Sequence, residues 1–123
     1  MLQLCFILAL TAAPEAVQQT NTPEIVLPDV VFGLKEVLEI LADYDLRHSD
    51  EIRMLGYSGL ALHAHKTVLI STHQSMADKI ATVIHELLHI RYYQMNIITD
   101  DPASERAINR RTNEIYSRLF ESR

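Results

Sequence analysis

The sequence predicts an α+β domain: a small antiparallel sheet packed on about three helices, with the helix over residues 75–94 central. Three observations carry that prediction. A stretch of helical periodicity comes first, a β-branched alternating stretch follows, and two long segments without internal Gly or Pro complete the chain. At 123 residues, 48% hydrophobic and 22% charged, the chain has the size and composition of one globular domain.

The domain is placed at residues 24–123, with 1–23 set apart as a signal-like or extended N-terminal segment. Residues 4–10 form an apolar run followed by Thr11, Ala12, Ala13 and Pro14, the outline of a secretory signal. No Lys or Arg precedes the run, so the charged start of such a signal is missing. Export and a cytoplasmic location are both compatible with this segment. The run is too short to cross a bilayer, so no stable membrane span is expected. Pro14, Pro23 and Pro28 make residues 14–28 an extended lead-in.

From Asp29 the pattern turns helical. Leu34, Val37, Leu38 and Leu41 form an apolar face opposite Lys35, Glu36, Glu39 and Asp43, and the helix should end near Leu46. Gly56 and Gly59 then punctuate an alternating stretch with Leu60, Leu62 and Ala64 on one side. Residues 67–72 have the composition of a strand. Ser75 with Asp78 three residues on marks the start of the central helix. Asp101 followed by Pro102 marks the start of the last helix, an N-cap residue with proline in the first turn, and it should reach Phe120.

The formal net charge of -5 gives no support to a nucleic-acid partner. The late arginines, Arg106, Arg110, Arg111, Arg118 and Arg123, are interleaved with Glu105, Glu114 and Glu121, the pattern of a solvated helix face. The single cysteine, Cys5, excludes an intrachain disulfide. With six histidines against that one cysteine, a metal site must use nitrogen and oxygen donors.

His85-Glu86-Leu87-Leu88-His89 is an HExxH motif. Histidines four apart on a helix share a face, so both imidazoles can reach one zinc ion. Glu86 lies one step round the helix, where it can take a proton from water acidified by the metal without binding the metal itself. Ile80, Val83, Ile84, Leu87, Leu88 and Ile90 occupy most of the circumference, so this helix should be buried nearly all round. Two histidines and a glutamate inside such a helix are costly to bury without a partner, which one cation supplies.

A catalytic zinc needs a third protein ligand. In the pattern HExxHxxGxxH the later slots fall on Tyr92 and Met95, which excludes that class. A carboxylate on the last helix is the remaining common solution. Ile108, Thr112, Ile115, Tyr116, Leu119 and Phe120 form an apolar stripe with Glu105 in its middle, whereas Glu114 lies opposite among arginines. Glu105 is therefore preferred over Glu114. Asn109, on the same stripe, is a candidate for orienting the ligand. Tyr92, Tyr93 and Tyr116 are each candidates for stabilising an oxyanion. His63 and His65 should share a strand face, and His73 could line the cleft.

These residues resemble the minimal gluzincin peptidases, and among them the ImmA/IrrE-like group. The likeness rests on the strand at 67–71, on His85-Glu86-Leu87-Leu88-His89, and on Glu105 followed four residues later by Asn109. It spans residues 68–116 and departs from the family pattern at Leu88, where a glycine is common. The resemblance implies a zincin-like fold, one catalytic Zn2+ on His85, His89 and Glu105, Glu86 as general base, and a peptide or protein substrate. It also implies that an extended peptide lies along the strand preceding the motif helix. The alternatives are a non-catalytic zinc-binding interaction protein and a metal hydrolase acting on something other than a peptide bond.

Overall fold

The computed structural model describes residues 27–120, so the signal-like segment 1–23 lies outside the described residues. These residues make a mixed three-stranded sheet and four α-helices, an α+β arrangement. The elements in chain order are α1 (Leu34–Asp43), β1 (Asp45–Ser49), α2 (Asp50–Met54), β2 (Gly59–Leu62), a 3-10 turn (His63–His65), β3 (Thr67–Ser71), α3 (Met76–Gln94) and α4 (Pro102–Phe120). Among the described residues no helix is long and apolar enough to cross a membrane.

The strand order is β1-β3-β2, with β3 in the middle. β2 pairs with β3 antiparallel, Gly59 opposite Ile70 and Leu62 opposite Thr67. β1 pairs with β3 in parallel, from Asp45 opposite Thr67 to Ser49 opposite Ser71. The expected all-antiparallel sheet is therefore mixed, and the helix expected to reach Leu46 stops at Asp43. Tyr44 is extended, with φ -112° and ψ 139°, and turns the chain directly into β1. The reason is visible in the side chains: Asp45, Leu46, Arg47 and His48 are all exposed. An edge strand held by main-chain bonds alone needs no hydrophobic alternation, and polar edges are a usual protection against wrong pairing.

α1 is also turned from its expected orientation. Leu34 and Leu38 are 74% and 57% exposed, while Ile40 and Tyr44 are buried. Two apolar stripes run along this helix. The one containing Val37 and Ile40 continues into Tyr44 and is flanked by Phe32, so it carries the larger aromatic area into the core. Ile40, Tyr44, Ala61, Val68, Ile70, Leu87 and Ile90 form that core, between α1, one face of the sheet and α3. Leu60 and Ile52 pack on the other face of the sheet under α2.

α3 starts where Ser75 accepts a hydrogen bond from Asp78 N–H at 3.1 Å, as its sequence predicts. From Ile84 to Ile90 only His85 escapes full burial. One side of the helix meets the sheet through Leu87 and Ile90. Another meets α4 and the lead-in through Ile84, Leu88 and Tyr92, packed with Val30 and Ile108. The lead-in crosses both helices, and three side chains hold its carbonyls. Tyr92 donates to Pro28 O at 2.8 Å, Arg111 to Val30 O at 3.4 Å and Arg91 to Val31 O at 3.3 Å. α4 opens as expected, with Asp101 Oδ2 accepting from Ser104 N–H at 3.3 Å.

Candidate metal centre

The register of α3 puts His85 and His89 on one face, one turn apart, and the packing of Ile108 against Leu88 brings α4 alongside. Glu105, in the first turn of α4, then faces both imidazoles. Its Oε2 is 2.8 Å from His85 Nε2 and its Oε1 is 2.9 Å from His89 Nε2. The two Nε2 atoms are 3.2 Å from each other. These three donors form a group able to hold a metal ion. Two ligands about 2.0–2.1 Å from a tetrahedral ion stand about 3.3 Å apart, close to the observed histidine separation. The residues therefore fit a single small divalent ion.

Neutral side chains also flank the imidazoles. His89 Nδ1 is 2.7 Å from Thr99 Oγ1, and Asn109 adds to the influences that raise the His85 pKa. Contacts of this kind fix the ring orientation of a metal-binding histidine. Asn109, expected to orient Glu105, lines the same cleft as Glu105 and His85. Thr99 has no signal in the sequence: a lone threonine ten residues beyond its partner, in the connection before α4, belongs to no periodic pattern.

Charge in the group is consistent with this arrangement. Burial alone would raise the Glu105 carboxyl, but its hydrogen bonds to His85 and His89 outweigh that and hold it down to about 2. Burial lowers His85, yet Glu105 and Glu86 prevail and its pKa is raised. Glu86 is different. It is 3% exposed, burial raises its pKa against the opposing pull of His85 and His89, and its Oε1 has no hydrogen-bond partner. A buried carboxylate oxygen without a donor is rare in folded proteins.

Glu86 is overlain by β2 at Gly59. A Cβ at this position would lie 2.5 Å from Thr82 Cγ2 and 3.1 Å from Glu86 Cγ and Oε2. The missing side chain lets the strand cross the motif helix at the base. Gly59→Ala should cost about 1–3 kcal/mol of stability through overpacking. A urea unfolding midpoint equal to the parent's would contradict this. Gln74 secures the same crossing: its Nε2 donates to Ser58 O and Ser71 O, both at 3.1 Å, and its Oε1 accepts from Thr82 Oγ1 at 3.0 Å. This clamp too is unmarked in the sequence.

A cleft of about 280 Å³ opens beside His85, Glu86 and Glu105. A larger apolar groove of about 640 Å³ lies on the opposite face of α3, along Ile80, Val83 and Leu87, away from every ligand. The donor group borders the smaller cleft.

Other candidates fall elsewhere. Glu114 is 57% exposed and pairs with Arg111 at 3.8 Å, outside the metal group. Tyr92 is committed to Pro28, Tyr93 stacks on His63 at 3.9 Å, and Tyr116 packs on Phe120. None of the three lines the cleft; Tyr57 does. His63 and His65 lie on a 3-10 turn and share no strand face, because Lys66 at φ 50° turns the chain into β3. His73 pairs with Asp50 at the surface, 3.5 Å away, and is absent from the cleft wall.

Tyr44 OH lies 3.1 Å from His63 Nδ1. Burial, then His89 and Lys66, hold the His63 pKa down to about 4. Below pH 6.5 the unfolded chain binds a proton that the folded one refuses. The resulting contribution to stability is complete above 6.5 and is lost as pH falls towards 4. A histidine NMR titration should find His63 neutral at pH 6; a midpoint near 6.5 would contradict it.

No protein-family model, curated protein or solved structure matches the chain.

Proposed function

We propose that this protein is a zinc metallopeptidase of gluzincin type with a zincin-like domain, resembling the ImmA/IrrE-like group. His85, His89 and Glu105 would hold the ion. One observation carries the reading: these donors converge from two helices onto one point, with a buried, unpartnered Glu86 oxygen beside them. No fourth His, Cys, Asp or Glu joins the group among the described residues. Structural zinc usually closes its shell with four protein ligands, so three favour catalysis over a purely structural ion.

When bound, zinc supplies Lewis acidity, making water acidic enough to lose a proton near neutral pH and stabilising charge on a carbonyl oxygen. The remaining work falls to the chain. Glu86 takes the proton of the attacking water and passes it to the departing amine as the C–N bond breaks. Thr99 keeps the His89 imidazole aimed. The peptide is placed along β2 and not along β3, the strand that the resemblance implied, because β3 is hydrogen-bonded on both sides. β2 has a free outer edge among the described strands and crosses Glu86 at Gly59.

Metal analysis of the purified full chain tests the reading. About one zinc per chain is expected to survive dialysis, with peptide hydrolysis abolished by a chelator and restored by zinc. A folded chain that neither holds nor takes up zinc would overturn it.

A further inference from the structure

The cleft beside Glu86 has a biased lining. Apart from His85, Glu86 and Glu105, its wall is built from Ser58, Thr82, Asn109, Thr112 and Asn113 together with Tyr57, Ala81, Gly56 and Gly59, and no Val, Leu, Ile, Met or Phe lines it. Thr112 is 4% exposed, and its hydroxyl is buried without a hydrogen-bond partner. No Lys or Arg lines the cleft either. Its two carboxylates are committed, Glu105 to the imidazoles and Glu86 to the proton, so no charged group remains to select a charged side chain.

The pocket of about 80 Å³ on the other side of His89 has Ile97 and Ile98 in its wall, together with Ala61, His63, Tyr93, Thr99 and Asp100. Branched aliphatic side chains therefore line that pocket and not the cleft. An aliphatic side chain entering the polar cleft would strip water from amides and hydroxyls and return nothing to them. A neutral amide or hydroxyl brings both donors and acceptors. Sites built to hydrogen-bond a substrate group reject analogues lacking it more strongly than apolar pockets reject a missing methylene.

We propose that the cleft walled by Ser58, Thr82, Thr112 and Asn113 is a subsite for a neutral hydrogen-bonding side chain of the substrate: Asn, Gln, Ser or Thr. The assignment rests on the peptidase reading and deepens it.

The test is digestion of a randomised peptide mixture by the zinc-loaded full chain, with product termini read by mass spectrometry. One position adjoining the cleaved bond should favour Asn, Gln, Ser or Thr by about tenfold or more over Leu, Ile and Val. Cleavage with aliphatic residues preferred on both sides, or with no preference, overturns the subsite and leaves the peptidase standing. No cleavage by a zinc-loaded, folded chain overturns both. Thr112→Val combined with Asn113→Leu should move the preference to aliphatic residues with zinc content unchanged. Should that pair fail to fold, Asn113→Leu alone, at an exposed position, should shift it in the same direction; an unchanged preference overturns the assignment. A reading without turnover comes from zinc-loaded Glu86→Gln. It should bind a peptide with Asn at the selected position more tightly than its Leu counterpart, and the reverse order overturns the proposal.

Discussion

Glu86→Gln is expected to leave zinc in place and lower peptide hydrolysis by about 10²–10⁴-fold, the usual worth of a positioned general base. The change is local. Glu86 is not among the three donors that converge on the ion site, so its replacement removes no ligand. Gln has nearly the same shape, so the tight passage beneath Gly59 is preserved. What is lost is basicity, because an amide cannot accept the proton of the attacking water. On the peptidase reading the parent carboxylate suits that role, since burial raises its pKa and its Oε1 has no hydrogen-bond partner. Initial rates on one peptide, measured beside zinc content, decide the matter. A variant that cleaves at the parental rate would remove Glu86 from the mechanism.

Glu105→Ala is expected to weaken zinc binding by more than the 10–100-fold typical of losing an outer-shell partner. The carboxylate is both a donor and the group that balances the two imidazoles, at 2.8 and 2.9 Å. Without it, two ligands remain. Zinc at a hundredfold excess over Kd should stabilise the parent by about 2.7 kcal/mol, and this increment should vanish in the variant at the same zinc concentration. Glu114→Ala is the matched control, since Glu114 is exposed and pairs with Arg111 outside the metal group. Thermal melts with and without zinc distinguish the two. An equal loss in both variants would mean that general destabilisation, not ligation, had been measured.

The parts of the fold that could be read from the sequence are those whose signals are local. Ser75 and Asp101 announce α3 and α4 by capping chemistry, and the absence of Gly and Pro carries each helix through. The metal group follows from HExxH and from the burial of Glu105 in an apolar stripe, where an unpaired carboxylate would be costly. β1 is hidden because its pairing with β3 lies in the main chain, between segments 22 residues apart, while its side chains face water. The orientation of α1 is ambiguous because two apolar stripes satisfy the same period, and only the tertiary position of Tyr44 and Phe32 separates them. Thr99 and Gln74 are illegible for a related reason: single polar side chains bound to distant partners leave no pattern along the chain.

The segment before α1 has a mechanical role that its proline-rich composition conceals. Pro28, Val30 and Val31 are fastened to side chains of α3 and α4, the helices that present the nitrogens and the oxygen. One extended stretch of chain thus ties together the two helices on which the donor group depends, and a cut within it would touch no donor atom yet release that tie.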